Sequence, residues 1–142
     1  MSDNLVFHFN IDGTDFTSAG QASVQVKKNL RQLGLDAEVI RRVSVAMYEG
    51  EINMVIHAGG GSADVTVTED YIEIVLDDSG PGIPDIEKAM QAGYSTASDK
   101  IRNLGFGAGM GLPNMKKNSD IMEIDSRLGV GTRILMRINI NS

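Results

Sequence analysis

Val75-Leu76 is an apolar run that ends in two carboxylates, Asp77 and Asp78, and is followed by Ser79-Gly80-Pro81-Gly82-Ile83. An acid delivered at the end of a strand and followed by a glycine turn is a recurring way to build a pocket. An ionised carboxylate only accepts hydrogen bonds, so it can hold an exocyclic amino group such as that of adenine. Glycine lets a ligand approach the main chain. Alone, Asp-x-Gly-x-Gly also fits an ordinary strand-to-loop turn. A second pair, Glu49 and Asn53, is four residues apart, which on a helix leaves only about 40° between them; such a pair is also what a partly exposed, hydrogen-bonded helix face would show. Glu51 projects away from both. A third stretch places glycines at 105, 107, 109 and 111, directly before the helix start at Leu112. Free backbone N–H groups and the helix dipole favour an anion there. It is not a Walker loop, because no Gly-Lys-Ser/Thr follows, and Lys116 and Lys117 read as solvated helix charges.

The elements that must position these residues are legible in order. Leu5, Phe7, Phe9 and Ile11 alternate with Val6, His8 and Asn10, the period of a half-buried strand, with His8 on its solvent side. Thr17 or Ser18 is expected to cap a helix through Ala19, Ala22, Val26, Leu30 and Leu33, ended by Gly34. Asp36 caps a second helix running through Val39, Val43, Met47 and Ile52 towards His57, apolar on more than one side and so buried. Gly59-Gly60-Gly61 stops it and opens a turn. Ala63 to Val67 and Tyr71 to Asp77 form an antiparallel hairpin around Glu69-Asp70. Pro84 to Met90 suits a short helix. Residues 93 to 111 have no periodic pattern and read as a loop or functional lid. Leu112 to Lys117 starts a last helix, and two strands close the chain, Ile121 to Asp125 and Thr132 to Ile140, around Gly129-Val130-Gly131. Helices and strands come in runs. The fold class is therefore an α/β (α+β) two-layer sandwich, a mostly antiparallel sheet covered on one face by helices.

Bulk properties narrow the function classes. The chain has 142 residues, suiting one domain over 1–142. It has no cysteine, which rules out a disulfide scaffold and any thiolate metal site. A net charge of -6 argues against direct nucleic-acid binding. No apolar run approaches a membrane span and no leader pattern opens the chain, so a cytoplasmic protein is expected.

Glu49-x-x-x-Asn53, Asp78-x-Gly80-x-Gly82-Ile83 and Gly109-x-Gly111-Leu112 occur in that order. Together they resemble the asparagine box and two glycine boxes of the histidine-kinase-like ATPase (GHKL) superfamily, whose domain has the Bergerat-type ATP-binding fold. The small size and Glu-Gly-Glu-Ile-Asn-Met-Val-Ile-His at 49–57 are similar to the anti-sigma-factor serine kinases. Ala92-Gly93-Tyr94-Ser95-Thr96 and Gly-Ala-Gly-Met-Gly-Leu-Pro at 107–113 look closer to the switch kinases of stressosome-type partner switching.

The resemblance implies ATP and Mg²⁺ as cofactors. It gives Asn53 the metal, Asp78 the adenine amino group with help from Thr132 through a water, and Gly80, Gly82 and Ile83 the adenine and ribose wall. It sets Gly109, Gly111 and Leu112 along the phosphates and makes Glu49 the general base. The arginine that anti-sigma kinases often carry before the lid's Gly-x-Gly is replaced by Gly107-Ala108, with Lys100 or Arg102 farther back. The implied activity is a serine/threonine protein kinase acting on a STAS-domain anti-sigma-antagonist protein. The alternative is an ATP-dependent module that sequesters a sigma factor or a phosphatase. No membrane partner is implied, and a homodimer is allowed.

Overall fold

The computed structural model describes residues 4–13, 19–83, 86, 90 and 111–140. Five strands form one sheet: β1 (Leu5–Asp12), β2 (Gly60–Val67), β3 (Tyr71–Asp78), β4 (Ile121–Arg127) and β5 (Gly131–Asn139), in the order β1-β2-β3-β5-β4 with every neighbour antiparallel. The period-2 apolar sets all turn to one face. Ala63 and Val65, Ile72, Ile74 and Leu76, and Ile134, Met136 and Ile138 are buried there, and Phe7, Phe9, Met122 and Ile124 pack against them. Helices α1 (Gln21–Gln32), α2 (Ala37–Asn53) and α3 (Gly111–Lys117) close that face, with α2 packed against both α1 and α3. The expected sandwich is the observed one. On the opposite face, His8 lies as expected, 2.6 Å from Asp64 Oδ1.

Several local expectations hold for identifiable reasons. Asp36 caps α2 by accepting the Glu38 N–H at 3.1 Å. Gly34, at φ 75°, ends α1: its N–H donates to Arg31 and the Leu35 N–H to Leu30, a Schellman pair that turns the chain into α2. Other expectations need correction. α1 begins at Gln21 with Gly20 as N-cap, so Ala19 lies before it, and the cap is not local. Glu51 on α2 supplies it, accepting from the N–H groups of Gly20, Ala22 and Ser23 at 2.9, 3.2 and 3.0 Å. Thr17 and Ser18 lie outside the described residues. α2 is α-helical only to Asn53 and continues as one π-helical turn, Met54–Ala58. Gly59 alone makes the left-handed stop, because Gly60 and Gly61 already pair with β1. Most of the expected helix from Pro84 to Met90 is outside the described residues, although the Met90 N–H does donate to the Ile86 carbonyl.

Candidate functional site

At one end of the sheet the register lines up three polar side chains on adjacent strands. Asp78 of β3 stands opposite Thr132 of β5, and Thr132 opposite Ser126 of β4. Asp78 Oδ1 accepts two main-chain N–H groups, from Gly80 at 2.9 Å and Thr132 at 3.2 Å. Its other oxygen takes no hydrogen bond from a described residue. The carboxylate is thus fixed by one oxygen and presents the second as an acceptor. The Thr132 hydroxyl, buried at 7% exposure, lies 2.8 Å from the Ser126 hydroxyl, which in turn accepts the Ile83 N–H at 2.7 Å. Ser126 thereby ties the loop after Asp78 to the far strand.

That loop is shaped by close approach. A Cβ on Gly80 would sit 2.7 Å from Cα and Cβ of Ala58, so the loop lies directly on the π-helical turn that ends α2. Gly82 has φ 84°, and its Cα packs against the backbone of Arg127 and Leu128. Gly80, Gly82 and Ile83 therefore bridge two walls, the end of α2 and the β4–β5 hairpin.

Glu49 and Asn53 share the exposed side of α2, and both are half-buried. They do not bond to each other. Glu49 Oε1 faces Asn114 Nδ2 of α3 at a long 3.4 Å. The Asn53 amide makes no hydrogen bond to a described residue and lies against Gly111, where a Cβ would stand 3.0 Å from Asn53 Oδ1. Leu112 is buried at 6% exposure, packed in the core beneath that helix start. Glu51 leaves this face altogether, as its spacing required. Gly109 and the stretch holding Lys100 and Arg102 lie outside the described residues, as does the expected loop or lid up to residue 110, whereas Gly111 already opens α3.

The structure brings the predicted residues to two places, an acceptor end at Asp78, Thr132 and Ile83, and an acid–amide end at Glu49, Asn53 and Gly111. Two contributors escaped the sequence reading. Ser126 is the one polar member of the inward set Met122, Ile124, Ser126, a signal that was available. Asn114 acts across 65 residues of chain, and no local pattern marks it.

Chemically, the free carboxylate oxygen of Asp78 suits a donor such as an exocyclic amine. The Asn53 amide oxygen, which bonds to no described residue, is a hard ligand of the type that suits Mg²⁺ alongside phosphate oxygens. The residues present fit a magnesium nucleotide.

The fold and this constellation define the class: the chain belongs to the histidine kinase-like ATPase domain family, which it matches over residues 14–138. Within that family it falls in the partner-switching serine/threonine kinase branch. It is 33% identical over 118 residues to the serine/threonine-protein kinase RsbT of Bacillus subtilis (strain 168), covering 80% of this chain and 83% of that protein. It is 31% identical over 126 residues to the anti-sigma F factor of Clostridium beijerinckii, covering 84% and 85%. The fold is shared, at TM-score 0.64 and 16% identity, with the crystal structure of the RsbU and RsbW domains of Rv1364c from Mycobacterium tuberculosis, over 94% of this chain and 31% of that longer one. Among the described residues, no helix is long and apolar enough to cross a membrane.

Proposed function

We propose that this chain is a switch kinase that binds ATP with Mg²⁺ and transfers the γ-phosphate to a serine or threonine of a STAS-type antagonist protein. The observation that carries this reading is the placing on α2 of Glu49 and Asn53, one turn apart, with the amide beside Gly111 and bonded to no described residue. In the proposed roles Asp78 accepts the adenine amino group, buttressed by Thr132, and Gly80, Gly82 and Ile83 wall the base. Asn53 holds the metal, and Gly109, Gly111 and Leu112 lie along the phosphates. The bound magnesium supplies charge neutralisation. Glu49 accepts the proton of the attacking hydroxyl as the new P–O bond forms and ADP departs. Phosphoryl transfer depends mostly on positioning and charge neutralisation, so one base and one metal ligand on a rigid helix are sufficient equipment.

Glu49→Gln is the test, because the amide keeps the shape but cannot take the proton. Transfer from labelled ATP to a STAS-domain protein of the same genome should fall by about 10²–10⁴, with ATP affinity almost unchanged. The relatives named anti-sigma F factor favour a second reading, ATP-dependent sequestration of a sigma factor. Wild type that labels no STAS protein yet holds a sigma factor or phosphatase tightly with ATP would establish that reading instead.

A further inference from the structure

α1 carries Lys27, Lys28 and Arg31 and no acidic residue, in a chain of net charge -6. Lys27 and Arg31 are one turn apart and exposed, and neither pairs with a described residue. They form one rim of an open groove of about 440 Å³ between α1 and α2. Leu35, Ile40 and Val45 supply its apolar lining, and Arg41 stands on the opposite rim. Arg41 is already engaged with Glu38, through Nη2–Oε1 at 2.6 Å and Nε–Oε2 at 3.0 Å. The uncompensated charge of the groove is therefore that of Lys27 and Arg31.

We propose that this groove docks an acidic amphipathic helix of the protein partner, an assignment that rests on the partner-binding reading above. An apolar stripe would lie on Leu35, Ile40 and Val45, with carboxylates along one side meeting Lys27 and Arg31. This is the helix-in-groove mode of recognition, with charge fixing orientation. Nucleic acid is the poorer match. It needs a broad basic surface, whereas Asp36 and Glu38 flank this groove and the chain as a whole repels a polyanion. The position also suits a substrate: Val45 lies one turn before Glu49 on α2, so a helix seated here borders the acid–amide end of the candidate site.

The probe is a synthetic helix with glutamates beside a leucine stripe, titrated into the isotope-labelled full chain with Mg-ATP. Amide shifts should centre on residues 27, 31, 35, 40 and 45. Binding should weaken about tenfold for the glutamine version of the helix, and again for Lys27→Glu/Arg31→Glu, whose positions are exposed. The neutral pair Lys27→Gln/Arg31→Gln should lie between. Equal binding of the glutamine helix, shifts elsewhere, or displacement by duplex DNA would overturn the proposal. A parallel assay separates it from the kinase reading: Lys27→Glu/Arg31→Glu should need more STAS protein for half-maximal transfer while ATP affinity holds. Unchanged transfer by that variant would sink the groove and leave the kinase standing. Docking of the acidic helix with no STAS protein labelled by wild type would sustain the groove and remove the kinase.

Discussion

Asp78→Asn should separate recognition of the base from support of the fold. Asp78 Oδ1 holds the N–H groups of Gly80 and Thr132, and an asparagine oxygen can keep both contacts. The change falls on the other oxygen, where an acceptor becomes an NH₂ donor facing the adenine amino group. A charge-assisted hydrogen bond is worth about 1.5–3 kcal/mol. At about 1.4 kcal/mol per tenfold, ATP affinity should drop roughly 10- to 150-fold. GTP should behave differently, since its base offers a carbonyl oxygen at that position and the new amide can donate to it. The ATP-to-GTP preference should therefore narrow or invert. Weaker acceptance of two N–H groups costs about 1–2 kcal/mol of stability, a few degrees in Tm for a chain of this size. Calorimetry with both nucleotides and a thermal melt check the argument. An equal loss for ATP and GTP, or a melt that collapses, would show that Asp78 serves the fold and not the base.

Asn53→Ala should lose most of its Mg-ATP affinity while magnesium-free binding changes little; unchanged calorimetry with metal would remove Asn53 from the site. Glu51→Ala strips the acceptor from three N–H groups at the start of α1. Two of these groups, on Gly20 and Ser23, are buried, so at about 1–3 kcal/mol for each left unsatisfied urea denaturation should show a loss of at least about 2 kcal/mol, with Glu51→Gln recovering part of it. A loss below about 1 kcal/mol would mean that α1 finds another cap. His8 should titrate above its ordinary 6.5, held up first by its hydrogen bond to Asp64, then by Asn10 and by the Asp64 charge. A raised folded pKa means that its contribution to stability is full below 6.5 and fades as pH rises through the raised value. NMR titration should show the shift shrinking in Asp64→Asn.

The strands were legible because each buries one face, so alternation at Leu5–Ile11 or Ile134–Ile140 could mean little else. Asp36 and Gly34 were legible because caps and stops act within a few residues. The start of α1 was not. Its cap is a carboxylate from another helix, and local pattern favoured Thr17 or Ser18 over a partner such distances apart in sequence. The end of α2 was misread for a related reason: an apolar run does not distinguish an α turn from the π turn at Met54–Ala58. Of the candidate site, the individual boxes were visible, and the structure adds what joins them. Ser126 binds the Ile83 loop to the hairpin, and Asn114 brings α3 to Glu49. Both are contacts between segments, which periodicity along one segment cannot report.

Gly50 lies between Glu49 and Glu51 on α2, and a Cβ there would fall 2.1 Å from Leu76 Cδ1 on β3. The helix bearing Glu49 and Asn53 and the strand ending in Asp78 therefore approach closely here, and a side chain at position 50 would have to displace the Leu76 tip. The two ends of the candidate site share a single dimension, set at position 50 and read out at both. Widening it by one methyl would move Glu49 and Asn53 relative to the Asp78 carboxylate without touching any of them. Shortening Leu76 is the natural compensation, so drift at either position is coupled to the other. Any redesign of the proposed nucleotide pocket begins with that pair.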